Sequence, residues 1–301
     1  MKQENKSGNR QKKAVFLTAA VLFFAGFALC AIWLIRYYAA GTKAEQKLED
    51  MKNKYVTEQT KASPQTQAAE PSQTMPVSET PVEGDTQTGG QSATNGCAGL
   101  ENFDVPDKTI DFAALQEENP DIYAWITVPG TAIDYPIVQH PKQVDYYLDH
   151  NLDGSRGYPG CIYTEMYNST DWEDPNTIIY GHNMKNGTMF ANLHYYEDTE
   201  FFQDNPYVYI YSEDMVRVYR IFGAYEFSNA HLMLNFDFDD PDIFTQYLDG
   251  IFALNGLHDN FNRDLKITAE DKIITLATCI SNKADRRWLV QAVLVAEGLP
   301  D

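Results

Sequence analysis

The 301-residue sequence has few cysteines, and its larger part has few basic residues. The four cysteines, Cys30, Cys97, Cys161 and Cys279, fit neither a disulfide framework nor the spacing of a zinc site. Cys161 lies within a predicted strand, which favours a place in the core, and a disulfide with Cys97 is the alternative. Residues 101–301 contain 12 Lys and Arg against 34 Asp and Glu, so this part of the chain is a poor candidate for binding nucleic acid.

The acidic segment Asp237–Asp242 also lacks a calcium-binding pattern. It has no alternating ligands, central glycine and terminal glutamate of an EF-hand. Acidic residues at a helix N-terminus interact favourably with the helix dipole. The segment therefore predicts the start of a helix, with Asp239 or Asp240 as N-cap and Pro241 in the first turn.

The N-terminal region has the pattern of a membrane anchor. Residues 1–13 are mainly basic, and residues 14–35 form an uncharged apolar run long enough to cross a bilayer as a helix. The positive-inside rule leaves the N-terminus in the cytoplasm and the rest of the chain outside. A cleaved signal peptide is the alternative, because the small residues at 39–41 would allow cleavage.

Residues 36–99 connect this anchor to the remainder of the chain. Their first part, to about residue 60, is charged and predicts a stem with helical character. Between residues 57 and 96 the chain is rich in Thr, Ser, Gln, Pro and Gly, a composition that cannot bury enough apolar surface to fold. We therefore predict an extracellular stem and flexible linker, followed by one globular domain over residues 100–301.

The globular part predicts many short strands and few helices. Helices are expected over residues 111–118, 188–194, 195–204 and in the insertion 228–270, with a helical turn at 146–148. Strands bounded by turn residues are expected over residues 125–128, 133–138, 160–164, 176–180, 207–211, 215–227, 271–279 and 288–296. Short strands joined by short turns are typical of a closed or nearly closed β-barrel, although the pattern does not distinguish a barrel from a sandwich.

Three of these strands carry residues that together suggest a catalytic site. One ends at Cys279, one ends shortly before His182, and one follows Arg287 directly. A lone cysteine in an apolar strand is more often a core residue, but a nearby positive charge favours its nucleophilic thiolate. His182 can supply that charge and protonate a leaving amine, and Arg287 can donate to an oxyanion. The three residues together predict acyl transfer through a thioester.

The sequence around these residues resembles the sortases of Gram-positive bacteria, and class B members in particular. Thr275–Cys279 (TLATC) precedes Arg287 and an apolar strand, and Tyr180–Met184 (YGHNM) lies upstream, as in sortases. Asn119–Gln139 (NPDIYAWITVPGTAIDYPIVQ) and Asp145–Asn151 (DYYLDHN) look like the opening of a class B domain. The resemblance covers nearly all of the globular part.

This resemblance implies a mainly β fold: the sortase eight-stranded β-barrel with N-terminal helices and a helical insertion before the cysteine strand, preceded by one transmembrane helix. It implies a single-pass plasma-membrane protein whose catalytic domain is extracellular. The implied reaction cleaves a C-terminal sorting motif of a secreted protein after its Thr and holds the acyl group as a Cys thioester. The acyl group then passes to an amine of a peptidoglycan precursor or a pilin. This chemistry requires no cofactor and no metal.

Carried over residue by residue, the resemblance makes Cys279 the nucleophile, His182 the acid and base, and Arg287 the stabiliser of the oxyanion or substrate. Adjacent strand residues point to opposite faces, so Arg286 is expected to face solvent. The implied substrate-binding residues are Tyr180, Asn183, Leu276, Ala277 and Thr278.

Two departures from the class B pattern concern the substrate side of the site. Ala277 stands where class B sequences commonly have Ser, and Ile280 stands where a polar or acidic residue is common. Two other functions use the same residues differently. A membrane-anchored cysteine peptidase would pass the acyl group to water, and a noncatalytic surface module would have Cys279 as a core residue.

Overall fold

The computed structural model describes residues 4–58 and 100–299, and these form a mainly β domain with helices on two sides. Of the linker predicted from residue 57 to residue 96, residues 59–96 lie outside the described residues, as does Cys97, whereas Thr57 and Glu58 form a strand with Val56. The strands are β1 (Val56–Glu58), β2 (Lys108–Ile110), β3 (Ile122–Thr127), β4 (Asp134–Val138), β5 (Ile162–Thr164), β6 (Asn176–Tyr180), β7 (Tyr207–Tyr211), β8 (Val216–Ser228), β9 (Asn260–Phe261), β10 (Ile273–Ile280) and β11 (Lys283–Gly298). The α-helices are α1 (Glu4–Tyr55), α2 (Phe112–Glu118), α3 (Thr199–Asp204), α4 (Leu232–Asn235) and α5 (Pro241–Phe252).

Eight of these strands close into a barrel. The order of hydrogen-bonded neighbours is β11, β10, β6, β5, β4, β3, β7 and β8, and β8 pairs with β11 to complete the ring. The β6–β10 and β4–β5 pairs are parallel, and the other pairs in the ring are antiparallel. The eight-stranded barrel that the sequence resemblance implied is confirmed.

Alternation along the strands places one set of side chains inside the barrel and the other outside. On β10, Ile274 and Leu276 belong to the interior cluster, whereas Ile273 and Ala277 belong to a cluster under the helical insertion. Cys161, just before β5, is buried in a third cluster beside the N-terminal helices, which confirms its predicted core position. Burying one large apolar side chain contributes about 1.5–3 kcal/mol, so these clusters hold the ring closed.

The insertion between β8 and β10 covers the outer face of the barrel. Asp240 caps α5 by accepting hydrogen bonds from the backbone N–H groups of Asp242 and Ile243. The helix then buries Phe244, Tyr247, Leu248 and Ile251, which recur at spacings of three and four. The helix expected at Pro241 is confirmed, and Asp240 has its role in capping.

Helix α1 continues well beyond the apolar run and contacts the barrel. Its N-terminal part is long and apolar enough to cross a membrane, by length and composition. Near its other end Met51 is buried, and the Lys52 Nζ lies 2.6 Å from an Asp134 carboxylate oxygen on β4. The stem expected after residue 35 is therefore a helix that packs on the domain.

Strand β1 follows α1 directly and pairs with β2, with Val56 opposite Ile110 and Glu58 opposite Lys108. The Lys108 Nζ lies 3.2 Å from Glu58 and 2.5 Å from Asp134, and its side chain is almost fully buried. This pairing holds the two ends of segment 59–107 side by side.

Several boundaries differ from the sequence-based expectation, and β3, for example, runs Ile122–Thr127 in place of residues 125–128. The segment 188–194 was expected to be helical, but a 3₁₀ helix occupies Ala191–Glu197 instead. The strand expected over residues 288–296 begins earlier, at Lys283, which leaves a tight turn at Ser281 and Asn282. Asn282 has φ of 65°, a conformation that asparagine tolerates better than most residues.

Candidate active site

Strand β10 presents the Cys279 side chain on a rigid support. The strand lies between β6 and β11, and its residues Ile273–Thr278 are all buried. Cys279 is the first exposed residue, and the ladder with β11 shifts register directly after it. The thiol therefore stands where the buried strand reaches the surface.

Arg287 lies directly opposite Cys279 in the antiparallel β10–β11 pair. Side chains at such paired positions have Cβ atoms about 5 Å apart. The Arg287 guanidinium donates to the carbonyl oxygens of Ala284 and Arg286, at 3.2 and 2.8 Å, which holds it near the turn. Arg286 is exposed, with its Nε 3.7 Å from a Glu226 oxygen, as strand alternation predicts.

His182 follows β6, the parallel neighbour of β10. Ala277 pairs with Tyr180, and the Gly181 N–H donates to the Ala277 carbonyl at 3.2 Å, which brings the next residue alongside the end of β10. A side chain at Gly181 would collide with Phe190. Glycine therefore lets the chain turn out of the barrel just before His182.

The His182 imidazole is held by two residues from the β4–β5 connection. Its Nε2–H donates to the Leu148 carbonyl at 2.7 Å, and the Tyr158 ring packs edge-on against it with centroids 4.9 Å apart. Burial lowers the pKa of His182 below its ordinary value, and the hydrogen bond to Leu148 opposes this only in part. Sequence reasoning missed both contacts, because these residues lie more than twenty positions from His182.

Cys279, His182 and Arg287 line one groove of about 200 Å³. Its walls are largely apolar and aromatic and include Leu148, Tyr163, Tyr180, Phe227 and Leu289. Segment 228–232, at the start of the insertion, forms one side. The groove thus combines a thiol, an imidazole and a guanidinium with walls suited to an apolar peptide.

His231, in the wall of this groove, is paired with a buried carboxylate behind it. The Nε2 of His231 lies 2.6 Å from a Glu165 carboxylate oxygen, and Glu165 is almost fully buried. Burial raises the pKa of Glu165, although His231 acts in the opposite direction. The two residues lie 66 positions apart, and no sequence motif indicated their pairing.

The five residues expected to bind substrate separate into two groups. Tyr180, Ala277 and Thr278 line the groove, and the Thr278 hydroxyl donates to the Gly181 carbonyl at 2.8 Å. Leu276 is fully buried in the barrel interior, so its expected place in the groove is corrected. The reason is strand alternation: Leu276 lies three positions before Cys279 and faces the opposite side of β10.

The expected place of Asn183 in the groove is also corrected, because its side chain is directed to the backbone behind the thiol. Its Nδ2 donates to the Cys279 carbonyl at 2.9 Å. The Nε2 of His194 lies 3.0 Å from the same carbonyl oxygen. Ile280 packs against the barrel interior, so this departure from the class B pattern lies away from the groove walls.

Within residues 4–58 and 100–299, no group of three or more His, Cys, Asp or Glu residues could hold a metal ion.

Comparison with known proteins identifies relatives that are similar to this chain in both sequence and fold. The family model described as Sortase domain matches residues 126–295. Sortase B of Listeria monocytogenes is 35% identical over 199 residues, which cover 65% of this chain and 77% of that protein. Sortase B of Staphylococcus aureus is 29% identical over 170 residues, covering 56% of this chain and 67% of that protein. The crystal structure of sortase B from B. anthracis in complex with AAEK1 superposes with a TM-score of 0.55 and 34% identity, covering 62% of this chain and 84% of that one.

Proposed function

Because this chain belongs to the sortase family, as a class B cysteine transpeptidase, we propose that Cys279 is its nucleophile, His182 its general acid and base, and Arg287 its oxyanion donor. The observation that carries this assignment is the meeting of the three side chains in one groove, with Arg287 directly opposite Cys279. Among the described residues the other exposed cysteine is Cys30, and it does not line this groove.

In the first half-reaction the Cys279 thiolate attacks the carbonyl carbon of the scissile peptide bond. The carbonyl electrons move to oxygen, and the Arg287 guanidinium stabilises the resulting oxyanion. Since the His182 Nε2–H is bound to Leu148, the proton for the leaving amine is carried on Nδ1. Collapse of the tetrahedral adduct breaks the C–N bond and leaves a thioester on Cys279.

In the second half-reaction an acceptor amine attacks the thioester carbonyl. Neutral His182 takes a proton from this amine through Nδ1, and Arg287 again stabilises the oxyanion. The C–S bond then breaks, a new amide is released, and Cys279 returns as thiolate. Burial lowers the pKa of His182, so more of the ring is in the neutral form that can accept this proton.

The proposed acyl donor is the C-terminal sorting motif of a secreted protein, cleaved after Thr. The apolar and aromatic walls of the groove support an extended peptide containing proline, and His231, held by Glu165, gives one wall a polar point of contact. The proposed acceptor is an amine of a peptidoglycan precursor or a pilin subunit. Both substrates lie outside the cell if residues 14–35 of α1 span the plasma membrane with the N-terminus in the cytoplasm, as we propose from the charge pattern.

The test uses full-length protein in detergent, because part of α1 packs on the barrel. Quenched fluorogenic peptides of the Asn-Pro-x-Thr and Leu-Pro-x-Thr types are incubated with and without glycine or diaminopimelate-like amines, and products are identified by mass spectrometry. We expect cleavage after Thr, an amine-dependent ligated product, and a thioester on Cys279. The Cys279→Ala variant should form none of these.

Two results would contradict the assignment. Retained activity in Cys279→Ala would show that Cys279 is not the nucleophile. Hydrolysis without ligation, for every amine offered, would indicate a peptidase in place of a transpeptidase.

A further inference from the structure

The carbonyl oxygen of Cys279 lacks the backbone partner that a continuing β-ladder would give it. The β6–β10 pairing ends at Tyr180 and Ala277, where the Gly181 N–H donates to the Ala277 carbonyl. Carbonyls two residues apart point to the same side of a strand, so the Cys279 carbonyl also faces the β6 side. There the chain has already turned away, and Asn183 pairs with Met189 instead.

Two side chains occupy the place of the missing backbone donor. The Asn183 Nδ2 lies 2.9 Å and the His194 Nε2 3.0 Å from the Cys279 oxygen, and these two nitrogens are 3.0 Å apart. Neither residue lines the substrate groove. These two side chains therefore hold Cys279 through its backbone carbonyl, outside the groove.

Glu197 determines that the Nδ1 of His194 carries a proton. Its carboxylate oxygen lies 2.6 Å from the His194 Nδ1, so Nδ1 carries a proton and donates it. In the neutral ring, Nε2 is then an acceptor for the second N–H of Asn183, whose first N–H binds the Cys279 carbonyl. In the charged ring, Nε2–H donates to that carbonyl directly. The carbonyl therefore has a donor in either state.

The ring of His194 is fixed by the residue that follows Arg287. It stacks on Trp288 with centroids 5.9 Å apart, and the Trp288 Nε1–H donates to the Leu193 carbonyl at 2.9 Å. Trp288 also pairs with Thr278 across the ladder. The cluster of Asn183, His194, Glu197 and Trp288 thus contacts the Cys279 carbonyl and includes the residues that follow His182 and Arg287 in the chain.

We propose that His194, oriented by Glu197, is a positioning residue that holds the thiol of Cys279 in its reactive place through Asn183 and the Cys279 carbonyl. The inference rests on the proposed role of Cys279 as nucleophile. A displacement of a reacting group by about 1 Å can cost about 100-fold in rate. Since the cluster lies outside the groove, its loss should change turnover and thiol reactivity more than binding of the peptide.

The experiment compares full-length wild-type protein with His194→Ala and His194→Gln. Gln keeps an N–H donor on a side chain of similar reach. His258→Ala is the matched control, because His258 is exposed in the loop between α5 and β9. The measurements are kcat and KM for the cleaved motif peptide, and the rate at which iodoacetamide alkylates Cys279, followed by peptide mapping.

For His194→Ala we expect kcat and the alkylation rate to fall about tenfold, the effect of one lost hydrogen bond, with KM within about twofold of wild type. His194→Gln should recover most of both rates, and His258→Ala should match wild type. A Glu197→Leu variant should shift kcat in the same direction as His194→Ala, which keeps the test decisive if the latter does not fold.

Unchanged kcat and alkylation in folded His194→Ala would overturn the proposal, and so would a Gln variant no better than Ala. An effect on KM alone would also overturn it, since it would place His194 in peptide binding. These results are separate from a failure of the proposed function, which activity in Cys279→Ala would reveal whatever the state of His194.

Discussion

Arg287 and Arg286 are neighbours with opposite surroundings, so they form a matched pair for mutation. Arg287 faces Cys279 across the ladder and lines the groove, whereas Arg286 is exposed beside Glu226. We predict that Arg287→Ala lowers kcat/KM about 100-fold to 1,000-fold, as for loss of an oxyanion donor. Arg286→Ala should stay within about twofold. Peptide ligation kinetics check this, and equal losses in the two variants would contradict the assigned role.

The Tyr158 ring shields His182, and burial is the main cause of the lowered pKa of that histidine. We predict that Tyr158→Ala raises the pKa of His182 towards its ordinary value of 6.5. The direction follows because solvent stabilises the charged imidazolium. NMR titration of the imidazole proton resonances measures it.

Tyr158→Phe is the control, since it retains the ring and should keep the pKa low. If the pKa stayed low in Tyr158→Ala as well, shielding by this ring would be excluded as the cause.

At the residue scale, the sequence could indicate which residues react but not what holds them. Cys279 and His182 stand at strand ends that local patterns reveal, and Arg287 directly precedes the apolar run of β11. The burial of Leu276 also follows from counting alternate positions from Cys279, the same reasoning that separated Arg286 from Arg287. The bond from Asn183 to the Cys279 carbonyl joins residues 96 positions apart, and only the folded strands show it.

At the scale of elements, Asp134 joins β4 to both β2 and α1. It accepts from Lys108 at 2.5 Å and from Lys52 at 2.6 Å, and Trp125 and Thr127 donate to it as well. We predict that Asp134→Ala lowers the free energy of unfolding by about 3–5 kcal/mol, because Lys108 is left buried without its main partner. Urea denaturation in detergent measures the loss.

Glu118→Ala is the control for this prediction. Its partner Lys54 lies 3.6 Å away and both side chains are exposed, so the loss should be below about 1 kcal/mol. A comparable loss in the two variants would show that burial of the ion pair is unimportant.

The same carboxylate gives the stability a defined dependence on pH. Burial is the largest influence and acts to raise the pKa of Asp134, but Lys108, Lys52 and Trp125 together outweigh it, and the pKa lies below the ordinary 3.8. A lowered folded pKa contributes stability above the unfolded value, and this is lost as pH falls through the folded value. We predict that wild type loses stability below about pH 4 more steeply than Asp134→Asn, which urea titrations at several pH values will test.

Elements with a strong local signal were predictable, and those defined by tertiary contacts were not. The apolar runs of β6 and β10 and the capped, amphipathic α5 have boundaries close to those expected. The 3₁₀ helix Ala191–Glu197 instead follows the packing of Leu193 and Tyr196 into the barrel interior, which local periodicity does not indicate. The early start of β11 arises from the pairing of Lys283 with Ile280 of β10, and the ladder with β8 begins at Arg286.

For the whole molecule, the contacts of α1 predict the result of cutting the linker. Burial of Met51, the Lys52–Asp134 ion pair and the β1–β2 ladder all join residues 4–58 to the barrel. With a specific protease site placed between residues 60 and 98, we predict that the two fragments stay associated after cleavage. Size-exclusion chromatography in detergent measures this.

A variant carrying Met51→Asp and Lys52→Glu should separate after the same cleavage, because it buries a carboxylate and repels Asp134. Separation of the unmodified fragments would show that the contacts are too weak to hold the domain on its helix.

The packing of α1 against the barrel also sets the distance between the groove and the bilayer, with α1 anchored as proposed. Residues 36–55 of α1 extend about 30 Å at 1.5 Å per residue, and the barrel lies alongside them, with Tyr37 against Tyr158 and Tyr158 against His182. Because β1 and β2 bring the ends of segment 59–107 together, lengthening that segment does not carry the groove outward. With α1 anchored as proposed, ligation is confined to the first few nanometres above the bilayer, and donor and acceptor must meet in that layer before either moves into the wall.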